Sequence, residues 1–426
     1  MSKGGAAKGG RKVPMRVAWL EIENFRSIEW LRLEGLDKPH VVIEGPNDVG
    51  KSNILHALDL AFSTLPTLLR VEADHDVKSI PGEPSEYPDW VKDWQNLFQH
   101  GKDSFSISLG IRFESRDGAR GWRPPPGEII DYRIKWTREG ERIEKGLRAP
   151  LAGSPWSGKV LEGMAWSLAP AFRLVTTRRE PGGESLHLHK NTPWESQVRW
   201  HGSNLKQLLF LYKNSPDLEV QERFEQLRAA VRDPALGIGI VNVSVQPNQK
   251  INVRTRQNGV ELDLEERGTG IQQLLTLLAL TLCHRGRILA VEEPEMNLSE
   301  PNQRLLWKKL REFTGETGPM DQVFVTSHSR VFEEEAERLV VSRDPQDGTQ
   351  ARWADPVPAR QQADEELLQV TRGGGVTLPF EVLKQLGIQD GKHVYLVPSR
   401  HGYQLLGPQG YADHLREEGS DAESTG

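Results

Sequence analysis

The sequence predicts an α/β fold in which a mainly parallel sheet is covered by helices on both faces. Short apolar runs, such as ILAV at 288–291 and VFV at 323–325, alternate with apolar helical stretches. Strands that are buried on both faces have this continuous apolar pattern. Near the N-terminus a strand-like run, a glycine-rich loop and an amphipathic helical pattern follow one another directly, which predicts a β-loop-α unit.

The composition restricts the class of protein. The 426 residues suffice for one large domain or a few smaller ones, and the net charge of -6 means that any contact with nucleic acid would depend on local basic patches. A single cysteine, Cys283, excludes an internal disulfide and fits a reducing compartment. No apolar run approaches the roughly 18 residues that span a bilayer. We therefore expect a soluble, cytoplasmic protein with no membrane contact.

The chain divides into five segments by composition. Residues 1–14 are rich in glycine and lysine, which predicts a disordered basic arm that either solubilises the chain or contacts nucleic acid. Alternating runs such as FSISLGIRF predict antiparallel strands in the segment after the first helix. The predicted divisions are the arm at 1–14, a head at 15–345 with a β-rich insertion at about 75–170, a linker at 346–370, a small unit at 371–412 and an acidic tail at 413–426.

The glycine-rich loop fits the pattern G-x-x-x-x-G-K-[ST]. Glycines let the backbone curl so that its N–H groups converge on phosphate oxygens, and the following helix N-terminus adds further donors. Lys51 is then expected to reach the β- and γ-phosphates, and the Ser52 hydroxyl to bind Mg²⁺. The predicted nucleotide-binding residues here are Gly45, Asn47, Gly50, Lys51, Ser52 and Asn53.

A cluster of carboxylates follows the apolar strand at 288–291. Acidic residues at the carboxyl end of a parallel strand can meet a nucleotide bound at the neighbouring loop. Glu292 is the expected second Mg²⁺ ligand, and Glu293 is placed to orient and deprotonate an attacking water. Without the phosphate loop, a solvated acidic turn would be the better interpretation.

Several motifs in order carry a family resemblance. They read FRSIEWLRLEGL, EGPNDVGKSNILHAL, ERGTGIQQLLTLLAL, ILAVEEPEMNL and VFVTSHS. Over residues 16–335 this order resembles the RecF/SMC/OLD group of ABC-type ATPases. The resemblance implies an ABC-type P-loop ATPase head with an inserted antiparallel β or lid region, with ATP and Mg²⁺ as cofactors.

The resemblance also assigns residues that no single motif would. It implies a signature loop at 267–273 that caps the γ-phosphate bound by the opposite protomer, through Gly268, Thr269, Gly270 and Gln272. It implies that the loop at 297–299 crosses the dimer interface and that a glutamine in the insertion, which the sequence does not identify, senses Mg²⁺. His328 becomes the switch histidine, and the catalytic set becomes Glu293, His328 and Lys51.

This chain departs from the family pattern in several places. Glu292 stands where most members have aspartate, Thr269 where serine is common, and Ser299 where histidine is frequent. These changes bear on the hydrolysis rate, which is expected to be slow, more than on ATP binding. Residues after His328 lack the D-x-D motif of the Toprim nuclease domain that OLD nucleases carry, and no long heptad stretch occurs. We expect neither a nuclease nor SMC-type arms.

The segment RGGGVTLPFEVLKQLGIQDGKHVYLV, which begins at Arg372, resembles the AbrB/MazE swapped-hairpin domain. Its pattern is a strand, a short helix begun by proline, a glycine stop and a second strand. Such domains interleave two chains, which implies a homodimer or higher homo-oligomer. Whether this unit binds DNA or only dimerises and docks a partner stays open.

Three functions follow from these features. The leading hypothesis is a nucleotide-gated ATPase that regulates a separately encoded effector, a nuclease or toxin, in anti-phage defence or a toxin–antitoxin-like system. A RecF-like ATPase of DNA repair that clamps DNA directly is the second. The third is a transcription regulator whose head gates an AbrB-type DNA-binding tail.

Overall fold

The computed structural model describes most of the head and little of the C-terminal segment. The predicted arm at 1–14 and the tail at 413–426 lie outside the described residues, as does most of the unit at 371–412. The described residues are 15–72, 80–81, 88, 90–91, 93–113, 127–139, 142–148, 163–165, 168, 171–177, 205–247, 250–283, 287–315, 318–333, 336–344, 348–355, 369–370, 376–377, 395–399 and 402–406.

The described residues form strands and helices in the following order. The strands are β1 (Met15–Phe25), β2 (Ile28–Leu33), β3 (His40–Glu44), β4 (Ile80–Pro81), β5 (Ser104–Phe113), β6 (Ile129–Glu139), β7 (Arg142–Arg148), β8 (Phe172–Val175), β9 (Ile240–Val245), β10 (Ile251–Gln257), β11 (Val260–Asp263), β12 (Ile288–Glu292), β13 (Gln322–Ser327), β14 (Arg338–Asp344), β15 (Gly348–Ala354), β16 (Gln369–Val370), β17 (Val376–Thr377), β18 (Tyr395–Ser399) and β19 (Gly402–Leu406). The helices are α1 (Lys51–Glu72), α2 (Leu205–Lys213), α3 (Leu218–Ala230), α4 (Thr269–Cys283), α5 (Glu300–Glu312) and α6 (Arg330–Glu333).

The central sheet has the strand order β15-β14-β3-β13-β12-β8. All neighbours pair in parallel except β15, which is antiparallel to β14. Successive side chains along its strands are buried in two different apolar cores. On β12, Ile288 and Ala290 join one apolar cluster, while Leu289 and Val291 join the other. Because side chains alternate across a strand, both faces of this sheet are covered, as the sequence predicts.

One face packs against α1 and an antiparallel sheet with the order β2-β1-β5-β6-β7-β4. The segment predicted as a β-rich insertion thus contributes β4–β7 to a sheet that β1 and β2 begin. The other face packs against the helices from α2 to α6 and a small sheet of β9–β11. Within the described residues, no helix is both long and apolar enough to cross a membrane.

The chain separates into two compact units, Met1–Ala359 and Arg360–Gly426. In the second unit the described backbone consists of two antiparallel pairs, β16 with β17 and β18 with β19. The short helix expected after Pro379 lies outside the described residues. The predicted AbrB/MazE-like unit therefore stays a prediction.

A buried amide joins the two large sheets. Gln322, at the start of β13, is fully buried, and its side-chain oxygen accepts the Val17 N–H of β1 at 2.8 Å. Its side-chain nitrogen donates to the backbone oxygens of Leu36 and Lys38. The preceding Asp321 accepts hydrogen bonds from the Met15 N–H at 2.9 Å and from the Arg287 guanidinium. Backbone groups at the sheet boundary, among them the N–H groups of Val17 and Met15, thereby gain hydrogen-bond partners.

We expect Gln322→Met to lower the free energy of unfolding by about 3 kcal/mol, because the apolar side chain has a similar volume but leaves several buried N–H and C=O groups unpaired. Chemical denaturation of the purified chain measures the difference. Gln350→Met, at an exposed position on β15 of the central sheet, is the matched control and should change stability by less than about 0.5 kcal/mol. Equal effects of the two substitutions would contradict the structural role of the Gln322 amide.

Candidate active site

The glycine-rich loop connects β3 to α1 through backbone conformations that demand its glycines. Gly45 and Gly50 have φ of 148° and 103°, and Asp48 has φ of 65°. A side chain on Gly45 would overlap the carbonyl of Val341 on β14. L-residues with a Cβ rarely adopt these angles, so the spacing of the motif reflects a real steric requirement.

Lys51, the first residue of α1, folds back over the loop. Its ammonium donates to the carbonyl oxygens of Gly45 and Pro46, each at 2.7 Å. The same nitrogen lies 3.1 Å from Nε2 of His328. Because an ammonium can only donate, this ring nitrogen accepts. Burial lowers the pKa of Lys51, against the attraction of Glu293, Glu295 and Asp48.

A cavity of about 610 Å³ opens beside the loop. Its lining combines donors for an anion with oxygen atoms suited to a cation. The lining residues are Ser27, Asn47, Asp48, Gly50, Lys51, Ser52, Asn53, Glu293 and Arg343. Five of the six loop residues predicted to bind nucleotide, Lys51 among them, therefore line the same cavity as Glu293.

The carboxylates after β12 reach this edge because of strand register. Glu292 pairs with Thr326 on β13, and Ser327 of β13 pairs with Glu44, the last residue of β3. The three strands therefore end together. Glu292 is buried, with 5% of its surface exposed. Glu293 has φ of 41°, and its N–H donates to the Thr326 oxygen at 2.8 Å. A positive φ is uncommon in a residue other than glycine and costs free energy locally, so the surrounding contacts must hold Glu293 in this conformation.

His328 follows β13, and the Glu295 side chain fixes its backbone. Its backbone N–H donates to Oε1 of Glu295 at 2.7 Å, and its Nε2 lies 3.9 Å from Oε1 of Glu293. The neighbouring Ser329 hydroxyl donates to Gln303, whose amide nitrogen donates to the Leu298 oxygen at 2.8 Å. The switch segment and the loop at 297–299 are thereby connected.

His56, one turn into α1, connects the acidic strand end to the N-terminal sheet. The Arg26 guanidinium donates to its Nδ1 at 2.7 Å, so the ring proton is on Nε2, which lies 3.4 Å from Oε1 of Glu292. The ring stacks on Trp90 at 4.2 Å between centroids. Burial, with the Arg26 charge adding to it, lowers the pKa of His56 to about 3. The histidine is therefore neutral at physiological pH.

The signature loop at 267–273 is ordered by its own side chains. Arg267 donates to the Thr255 hydroxyl at 2.7 Å, and Gln272 donates to the Arg267 oxygen at 2.8 Å. Gly268 and Thr269 are exposed, and Gly270 lies against the backbone of Asn297. In the described part of the chain, none of these loop residues lines the phosphate-loop cavity.

A second cavity, of about 680 Å³, shares Ser27 and Asn53 with the first. Its lining includes two glutamines from the predicted insertion, Gln95 and Gln99. The side-chain oxygen of Gln99 is buried and has no hydrogen-bond partner among the described residues. These are the glutamines that the sequence could not distinguish.

Other residues of the site were also absent from the sequence prediction. Arg26 and Ser27 lie within the motif FRSIEW but received no role, and Glu295 was read only as part of the acidic cluster. His56 lies within the motif EGPNDVGKSNILHAL, but the motif gives it no role, and Arg343 belongs to none of the motifs. Only their spatial positions, beside Glu292 and beside the phosphate loop, identify these two residues.

A phosphate loop, a buried acidic strand end and a histidine meet at one edge of the parallel sheet. This combination is typical of the class of P-loop ATPases. Two family models agree with this class. The model described as AAA ATPase domain matches residues 202–332, and the model described as AAA domain matches residues 20–158. The chain thus has an α/β fold with ATPase-type family matches, and hydrolysis is indicated at the family level only. No curated protein matches the sequence.

Solved structures of Smc heads are similar to this chain. The SMC head domain from Thermotoga maritima is 16% identical, with 81% of this chain and 100% of that chain covered and a TM-score of 0.42. The SmcHead bound to the C-winged helix domain of ScpA is 13% identical, with 79% and 97% covered and a TM-score of 0.49. An Smc head with an extended coiled coil, bound to the C-terminal domain of ScpA derived from Pyrococcus furiosus, is 12% identical, with 80% and 96% covered and a TM-score of 0.46.

We expect His56→Phe to keep the stack on Trp90 but to lower the free energy of unfolding by about 1–3 kcal/mol, because Arg26 and the buried Glu292 lose their shared polar neighbour. Urea denaturation measures the loss. His100→Phe, at an exposed histidine on the rim of the second cavity, should stay within about 0.5 kcal/mol of the wild type. If His56→Phe is as stable as the wild type, the ring nitrogens of His56 do not contribute to stability.

Proposed function

We propose that the chain is a Mg²⁺-dependent ATPase whose heads dimerise around bound ATP. One observation carries the proposal: Lys51, Glu293 and His328 come from three separate parts of the chain and meet beside a single cavity. The lysine is available to hold the β- and γ-phosphates. Glu293 is available to orient a water and accept its proton, and His328 to contact the γ-phosphate.

The donor set suits Mg²⁺. The Ser52 hydroxyl lines the cavity, the Glu292 carboxylate is buried at the adjacent strand end, and the Gln99 side-chain oxygen lacks a partner among the described residues. Hard divalent cations prefer such oxygen ligands. We assign Ser52 and Glu292 as the residues that would hold the ion, and Gln99 as the glutamine that senses it. Bound there, Mg²⁺ would neutralise part of the charge on the phosphates.

The position of the predicted signature loop supports the proposed dimer. Gly268 and Thr269 are exposed at the start of the long helix α4, whose free N–H groups favour an anion. The described lining of the cavity in the same protomer comes from other residues. A second protomer can bring Gly268, Thr269, Gly270 and Gln272 to that phosphate. Closure without it would leave donors without acceptors, so ATP acts as a clamp and hydrolysis releases it.

Glu293→Gln should trap an ATP-bound dimer, because the amide keeps the shape of the side chain but cannot accept the proton from water. The measurement is light scattering after gel filtration of chains that lack residues 371–426, so that the C-terminal unit cannot join them. With ATP and Mg²⁺, Glu293→Gln should then give twice the mass that Lys51→Ala gives. Lys51→Ala is the control because it should abolish ATP binding. Normal turnover by Glu293→Gln would exclude that residue as the base, and a monomeric ATP-bound chain would contradict the shared site.

We further propose that closure controls a separately encoded effector, a nuclease or toxin, in anti-phage defence or a toxin–antitoxin-like setting. The support is the sequence alone: a head whose motif order resembles the RecF/SMC/OLD group, followed by a segment that resembles an antitoxin domain. A RecF-like head that clamps DNA directly is the alternative. It is equally compatible with the matched ATPase families.

The two outputs predict different partners. For the effector, the natively expressed protein should co-purify with the product of a neighbouring gene, and Glu293→Gln and Lys51→Ala should retain different amounts of it. For the DNA clamp, ATP should stimulate DNA binding that weakens with salt and survives deletion of residues 371–426. Mass spectrometry of the purified complex and a DNA-binding titration at two salt concentrations distinguish them.

A further inference from the structure

The hairpin of β14 and β15 lies against the phosphate loop. The Thr349 hydroxyl on β15 donates to the Val49 carbonyl oxygen at 3.2 Å. A Cβ on Gly50 would lie 3.4 Å from the same hydroxyl, and one on Gly45 would overlap the Val341 oxygen. The hairpin therefore packs on the loop's own backbone at both of its glycines.

Arg343, at the far end of β14, lines the loop's cavity together with Lys51 and Ser52. The residue is exposed, and among the described residues its guanidinium makes no hydrogen bond or ion pair. The strand that carries Arg343 is held on both sides. β14 pairs with β15 in antiparallel over seven residue pairs, and with β3 in parallel over three. The Arg343 guanidinium is therefore held at the cavity of the phosphate loop without a carboxylate partner among the described residues. A guanidinium in this position is suited to bind an anionic ligand.

Strand order decides which part of the ligand Arg343 can reach. In the central sheet β3 lies between β14 and β13. The groups proposed to act on the γ-phosphate follow β12 and β13, on one side of β3. Arg343 approaches the loop from the other side. The portion of the nucleotide nearest to it is therefore the portion that ADP and ATP share.

We propose that Arg343 is a nucleotide-affinity residue that binds the α- or β-phosphate of the nucleotide held by its own protomer. This inference rests on the proposed function and adds a contact from outside the family motifs. It makes the β14–β15 hairpin a wall of the nucleotide site. Because the contact is to phosphates common to ADP and ATP, it should affect both ligands alike and leave the hydrolytic step unchanged.

The test compares Arg343→Gln with Arg352→Gln. Arg352 is exposed on β15 of the same hairpin and is not among the residues that line the cavity. The two variants have the same net charge. Fluorescence titrations with Mg²⁺, using ADP and the non-hydrolysable analogue AMP-PNP, give the dissociation constants. Arg343→Gln should weaken both ligands about tenfold, the scale of one charge-assisted hydrogen bond, while Arg352→Gln binds as the wild type does.

The remaining outcomes overturn the inference. If the two variants bind equally well, the guanidinium of Arg343 does not contact the nucleotide. If only AMP-PNP binding weakens, the contact is to the γ-phosphate and the strand-order argument is wrong. Binding of neither nucleotide by the wild type would instead refute the proposed function itself. Arg343→Lys, which keeps the charge, should recover part of the affinity lost in Arg343→Gln.

Discussion

The parallel register of β3, β13 and β12 is the constraint on which the site depends. These strands end level with one another, so the phosphate loop, the switch segment and the acidic turn leave the sheet at the same edge. Each segment is short and polar and would have no reason to meet the others in an unfolded chain. The apolar residues that hold the register, buried in two cores on opposite faces, therefore determine the catalytic geometry as much as the polar residues do.

Around this edge the polar groups support one another rather than acting singly. Glu295 holds the backbone of His328, Gln303 connects Ser329 to Leu298, and His56 lies between Arg26 and Glu292. Each link joins segments from different strands or helices. A substitution at one of these residues therefore also weakens the hydrogen bonds of its neighbours. Within such a network, the free-energy cost of removing one side chain exceeds that of one pairwise contact.

Both sides of the phosphate loop carry residues with proposed roles. On one side lie the groups that follow β12 and β13, for which we propose water activation and contact with the terminal phosphate. On the other side the β14–β15 hairpin packs on Gly45 and Gly50 and presents Arg343 to the cavity. The signature loop is ordered by Arg267 and Gln272 but remains exposed, which is the arrangement expected of a surface that completes a partner's site.

The class of fold and the phosphate loop could both be predicted from the amino-acid sequence. A continuous apolar run indicates a strand that is buried on both faces. The loop motif indicates a local backbone conformation that favours glycine. Both signals lie within a few consecutive residues, so the sequence alone contains them. The predicted role of Glu293 came from its place at the end of an apolar strand, and that of His328 from motif order. Three contacts became visible only in the folded chain: β4–β7 extend the sheet of β1, His56 lies beside Glu292, and Arg343 lines the cavity. Those contacts join residues far apart in sequence, and strand order, which no local pattern encodes, sets which of them meet.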